Sequence, residues 1–96
     1  LTDATKWAID NGHAEPGRIC IYGASYGAYA AMMGLVREPG LYQCGIGNVG
    51  LYDVQREYYD SRYTKFGDAY FGTAVGDVDM AAISPARLAD RIKAPV

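Results

Sequence analysis

The sequence predicts an α/β fold of parallel strands flanked by helices, and three observations predict it. A short apolar run, Ile19-Cys20-Ile21-Tyr22, turns through Gly23-Ala24-Ser25-Tyr26-Gly27 into an uncharged stretch from Ala28 to Val36 with Ala and Met at helical spacing. A second apolar run, Cys44 to Val49, follows that helix, so strand, helix and strand form one unit that should cross over right-handed and leave its strands parallel. Pro95-Val96 reads as the entry to a further strand. Strands of this kind are expected to be buried on both faces.

The elements follow in order. Leu1 to Asn11 reads as an amphipathic helix with Leu1, Ala4, Trp7 and Ala8 on one face and Gly12 as its stop. His13 to Gly17 is a loop that turns at Pro16-Gly17, and Arg18 to Tyr22 is the first strand. The buried helix after Ser25 ends near Glu38, because Pro39 cannot continue it. In the second strand Gly45 and Gly47 weaken the intrinsic preference but admit a closely approaching backbone or helix. Leu51 to Ala74 is Tyr-rich and reads as a short helix near Val54–Tyr59 with loops around it. Asp79 and Ser84 are candidate N-caps, with Pro85 at the first position of a helix over Ala86–Arg91.

Length and composition bound the rest. The 96 residues suit one domain or part of one, and a start at Leu1 with an end where a strand should begin suggests that residues 1–96 are a central piece of a larger domain. The net charge of −2, with both signs mixed, favours neither nucleic acid nor an anionic membrane surface. No apolar run is long enough to span a bilayer. The two cysteines, Cys20 and Cys44, lack metal-ligand spacing and read as small buried hydrophobes. Bare strand edges and open faces predict association with the remainder of the domain or with a second copy as a homo-oligomer.

The chemistry concentrates on Ser25. Strand, G-x-S-x-G and helix together make the nucleophile elbow of α/β-hydrolases, which makes this a partial α/β-hydrolase fold. Gly23 and Gly27 flank the corner, where a Cβ is expected to clash as the strand reverses into the helix. The serine itself is expected in a sparsely populated backbone region at a cost of about 1–3 kcal/mol. Its hydroxyl would stand exposed, with the helix N-terminus aimed at a developing oxyanion and the Tyr26 N–H as one donor. A serine hydroxyl needs a base, normally a histidine oriented by Asp or Glu. The single histidine, His13, precedes the serine, whereas this architecture orders its triad Ser, Asp or Glu, His, so His13 reads as a loop residue. Asp53, Asp60, Asp68, Asp77 and Asp79 read as solvated or capping carboxylates. No metal site is expected. The same corner would serve a carboxylesterase or lipase, and a catalytically inactive fragment or scaffold is the non-enzymatic alternative.

The segment Pro16-Gly17-Arg18-Ile19 through Gly23-Ala24-Ser25-Tyr26-Gly27-Ala28-Tyr29 resembles the nucleophile region of the prolyl oligopeptidase family of serine peptidases, and the Tyr after the Ser is its most distinctive part. The resemblance extends through Arg37-Glu38-Pro39-Gly40-Leu41-Tyr42, Ser84-Pro85 and Ile92-Lys93-Ala94-Pro95-Val96, which covers essentially the whole chain. Glu15 stands where the family usually has Asp, and Ala28 where it has a second Gly; the added methyl shifts packing and leaves the chemistry alone. The resemblance implies a serine peptidase acting on short peptides through an acyl-enzyme on Ser25, without a cofactor. It also implies that the triad Asp and His lie beyond residue 96, so the isolated chain would be inactive. Glu57-Tyr58-Tyr59-Asp60-Ser61-Arg62-Tyr63 is similar to a run in the dipeptidyl peptidase IV branch whose Tyr pair lines the first specificity pocket. That makes Tyr59 and Tyr63, one helical turn apart, substrate-binding candidates. Gly47 to Asp53 looks more like the acylaminoacyl peptidase branch, and a Tyr-rich packing segment is the plainer reading of the Tyr cluster.

Overall fold

A computed structural model describes residues 1–61 and 67–96. In chain order its elements are α1 (Thr2–Asp10), β1 (Cys20–Ala24), α2 (Tyr26–Arg37), β2 (Cys44–Asn48), α3 (Val54–Ser61), α4 (Gly67–Val75) and a 3₁₀ helix (Pro85–Arg91). β1 and β2 pair in parallel with Cys20 opposite Cys44 and Ala24 opposite Asn48, and α2 is the crossover between them. The strand–helix–strand unit is therefore as the hydrophobic pattern predicts. The Pro95 carbonyl accepts a bond from the Gly45 N–H at 3.0 Å. Gly45 is an odd number of residues from Asn48, whose carbonyl faces the β1 side, so residue 95 lies along the opposite edge of β2.

The core is the face of α2 laid on the strands. Ala31, Met32, Leu35 and Tyr42 form its buried centre, with Ile19, Ile21, Tyr52 and Ile92 packed around them. Gly45 is what lets the helix come this close: a Cβ there would meet Leu35 and lie 3.1 Å from the Met32 methyl. The double-sided burial expected of the strands is not found among the described residues. Ile21 and Gly23 turn toward α2, while Tyr22 and its register partner Ile46 remain 65% and 55% exposed on the other face.

Three further expectations are corrected. The inward face of α1 is not Leu1, Ala4 and Trp7, since Leu1 and Trp7 stay exposed. Thr2 and Thr5 face inward instead, where the Thr2 hydroxyl donates to Glu38 at 3.2 Å and the Thr5 hydroxyl bonds the Tyr42 hydroxyl at 2.9 Å. Polar anchors in the segment after α2 thus set the rotation of α1, and apolar periodicity does not register them. Residues 67–75 form α4 where loop was expected; the run Gly67–Val75 contains no proline, so its one tyrosine and two glycines do not interrupt it. Cys20 and Cys44 form a disulfide, and Cys20 is exposed. Parallel register puts the two Cα atoms 4.6 Å apart, within bridging range, and register is invisible in a spacing of 24 residues.

The turns behave as their residues dictate. Gly12 ends α1 at φ +74°, and Gly17 takes φ +80° after Pro16 while the Arg18 N–H closes the turn on the Glu15 carbonyl at 3.1 Å. Among the described residues no helix is long and apolar enough to cross a membrane.

Candidate active site

β1 runs straight into α2 with Ser25 as the only residue between them. Its backbone sits at φ 54°, ψ −123°, a region that costs a non-glycine residue about 1–3 kcal/mol. Three bonds hold it there. The Ser25 N–H donates to the Asn48 carbonyl at 2.9 Å, which continues the β1–β2 ladder by one step. The Ser25 carbonyl accepts from Ala28 at 3.0 Å and from Tyr29 at 3.4 Å, which opens the helix. The serine side chain forms no cap bond and is exposed.

Gly23 is required by contact. A Cβ there would lie 2.7 Å from the Ala28 nitrogen and closer still to the Gly27 carbonyl, all of them backbone atoms. The expected clash at Gly27 does not exist: a Cβ there meets nothing within 4 Å. The reversal brings the carbonyl of residue 27 onto residue 23, so the crowding is one-sided.

Tyr26 is the first residue of α2, and neither its N–H nor that of Gly27 has an acceptor among the described residues. These free donors at a helix start, one and two residues past Ser25, suit a negative oxygen. The Tyr26 ring is 75% exposed and lies against Tyr29 with centroids 5.4 Å apart. Burial pushes the Tyr29 phenol above its ordinary range, with Tyr26 adding and Arg37 opposing. Tyr26 and Tyr29 also wall an apolar cleft of about 270 Å³ whose other side is Leu51, Val54, Val78 and Ile83.

Tyr59 lies on α3, 48% exposed, its ring edge-on to Tyr58 at 5.7 Å, and it does not line that cleft. Tyr63, Arg62 and Lys65 fall outside the described residues. His13 stacks on Trp7 at 5.4 Å in the loop that feeds the start of β1, at the opposite end of the strand from Ser25. Five residues at about 3.3 Å each separate those ends by roughly 16 Å, so His13 is not the base.

Of the acids, Asp53 caps α3, accepting from the Arg56 N–H at 3.1 Å, and also pairs with Arg87 at 3.0 Å. The Arg56 N–H first, then Arg87, hold its carboxyl below the ordinary range against the opposing effect of burial. Asp60 pairs with Arg56 at 3.7 Å in solvent, and Asp77 is exposed. Asp79 accepts from the Ala81 N–H at 3.1 Å, closing a turn rather than starting a helix. Among the described residues no three His, Cys, Asp or Glu side chains gather as a metal site would need.

Two features escape sequence reasoning. Val49, expected as the last residue of the second strand, stands outside it at φ 48°, an unusual conformation for a β-branched residue. It follows Asn48 as Ser25 follows Ala24, so each of the two parallel strands is followed at once by a residue of positive φ. Nothing in the residue type announces this. Ser84, expected to cap the 3₁₀ helix, makes no cap bond; its hydroxyl is fully buried, donates to the Met80 carbonyl and accepts from the Val54 N–H at 2.9 Å.

Comparison with known proteins shows the family of the chain. The chain is 29% identical, over its whole length, to dipeptidyl aminopeptidase BIII of Pseudoxanthomonas mexicana, and covers 15% of that protein. It is 38% identical over 66% of its length to dipeptidyl peptidase 4 of Bos taurus, and 37% identical over 65% to prolyl endopeptidase FAP of Homo sapiens, covering 8% of each. No solved structure matches. The profile of the prolyl oligopeptidase family matches residues 1–96 in full, and the chain belongs to that family.

Proposed function

We propose that Ser25 is the nucleophile of a serine peptidase, seated on a nucleophile elbow, and that the whole protein removes dipeptides from short peptides. The observation that carries this reading is the single-residue corner at φ 54°, with an exposed hydroxyl and free N–H groups beside it. The relatives named as dipeptidyl peptidases support the substrate class.

In the reaction the Ser25 oxygen bonds to the scissile carbonyl carbon while its proton passes to a base. The carbonyl oxygen becomes an oxyanion, held by the Tyr26 N–H; a donor of this kind is worth about 2.7–4 kcal/mol. The C–N bond breaks, the amine leaves with the proton, and water cleaves the resulting ester. No cofactor enters. The base and its orienting acid belong to the rest of the whole protein, of which this chain spans a small part. Tyr59 and Tyr63 are the candidates to contact the residue before the cut bond.

The test uses the full-length protein. A fluorophosphonate should label Ser25, and Ser25→Ala should abolish both labelling and hydrolysis of dipeptidyl chromogenic substrates. Hydrolysis of p-nitrophenyl esters with no action on dipeptidyl substrates would make the protein an esterase instead, and labelling at another residue would remove Ser25 from the chemistry.

A further inference from the structure

We propose that Ser84 and Arg87 form a latch that fixes the start of α3 and thereby sets which apolar side chain the substrate site accepts. The inference rests on the reading of Ser25 given above, and makes Ser84 and Arg87 positioning residues.

The latch is built from three consecutive anchor points. The Ala86 N–H donates to the Tyr52 carbonyl at 2.9 Å, Arg87 Nε donates to Asp53 Oδ2 at 3.0 Å, and the Val54 N–H donates to Ser84 Oγ at 2.9 Å. Residues 84–87 thus grip residues 52–54 across 30 to 34 positions of chain. Tyr52 is pinned on its other side, because its ring fills the space that the absent Cβ atoms of Gly47 and Gly50 leave open. The start of α3 is therefore held between the end of β2, next to Ser25, and the 3₁₀ helix.

Packing alone does not ask for this chemistry. Ser84 is fully buried, and an alanine would fill nearly the same volume. Its hydroxyl is spent on two bonds, one to the Met80 carbonyl and one from the first N–H of α3. Such a helix-start N–H has no intrahelical acceptor, so removing the hydroxyl leaves a buried donor unpaired and the helix free to tilt.

The consequence for the substrate follows from leverage. Val54 is one wall of the cleft that Tyr26 opens, and Ile83, the neighbour of Ser84, is another. Tyr59 is five residues along α3, about 7.5 Å of rise, so a tilt of roughly 15° at the latch moves its Cα by about 2 Å. That exceeds the size of a methylene, and one methylene in an apolar pocket changes selectivity by about 10–200-fold.

The experiment measures kcat/KM of the full-length protein and of its Ser84→Ala, Arg87→Ala and Arg87→Lys variants on two dipeptidyl substrates. These differ only in having alanine or phenylalanine before the cut bond. Fluorophosphonate labelling of Ser25 is followed in parallel, since it reads the nucleophile without the pocket. The expected result is an Ala-to-Phe ratio that shifts at least tenfold in Ser84→Ala and Arg87→Ala, partial recovery in Arg87→Lys, and labelling rates within about threefold of the parent. If Ser84→Ala does not fold, the partly exposed Arg87 carries the test alone. A labelled protein whose ratio is unmoved by the substitution overturns the latch and leaves Ser25 standing; a parent that does not label at Ser25 overturns both.

Discussion

Replacing Gly23 by alanine tests the corner where it is tightest. The new Cβ would stand 2.7 Å from the Ala28 nitrogen, and ordinary contact begins at 3.4 Å, so the start of α2 must retreat by at least 0.7 Å. The Gly27 carbonyl, closer still, asks for more. These are backbone atoms on two elements joined by one residue, so no rotamer change relieves the contact. Overpacking of this kind costs about 1–3 kcal/mol, and a misplacement of about 1 Å at a reacting group lowers the rate roughly 100-fold. Gly27→Ala is the internal control. It meets nothing within 4 Å and lies in a helix, where alanine is favoured over glycine by up to about 1 kcal/mol. Urea unfolding of the full-length protein should therefore give a lowered midpoint for Gly23→Ala and an unchanged or raised one for Gly27→Ala, with kcat/KM reduced about 100-fold only in the first. Equal midpoints for the two variants would refute the one-sided crowding and with it this account of the turn.

Ser25→Gly should inactivate the full-length protein while raising its melting temperature, because glycine tolerates φ 54° and releases about 1–3 kcal/mol of strain; a lowered melting temperature would count against strain at this residue. Asp53→Asn should flatten the acid limb of stability. The folded Asp53 carboxyl is held below its ordinary range, so its contribution is complete above the unfolded pKa of about 3.9 and is lost as pH falls through the lower folded value. Parent and variant should accordingly converge in denaturation midpoint toward pH 2–3 and diverge above about pH 5, and a constant difference across that window would contradict the assignment. Reduction of Cys20–Cys44, or Cys20→Ser with Cys44→Ser, should lower stability by about 3 kcal/mol for a closed loop of 24 residues, read as a drop in urea midpoint that a reductant no longer changes in the double variant.

What the chain discloses before folding is what depends on near neighbours. Strand, Ser25 and helix are contiguous, and the proline stop at Pro39 and the turn at Pro16-Gly17 act within a few residues, so the α/β unit and its corner are legible. Parallel register is not local, and the Cys20–Cys44 bridge and the placement of Val49 beside Ser25 both follow from it. Hydroxyl partners are not local either. Thr5 finds Tyr42 and Ser84 finds Val54, 37 and 30 residues away, and those bonds decide which face of α1 turns inward and what holds α3. The local pattern therefore locates the candidate nucleophile, Ser25, but not the elements that would shape its pocket. That candidate needs a conformation that a five-residue motif can specify by itself. The pocket needs polar bonds between segments whose separation in sequence carries no pattern.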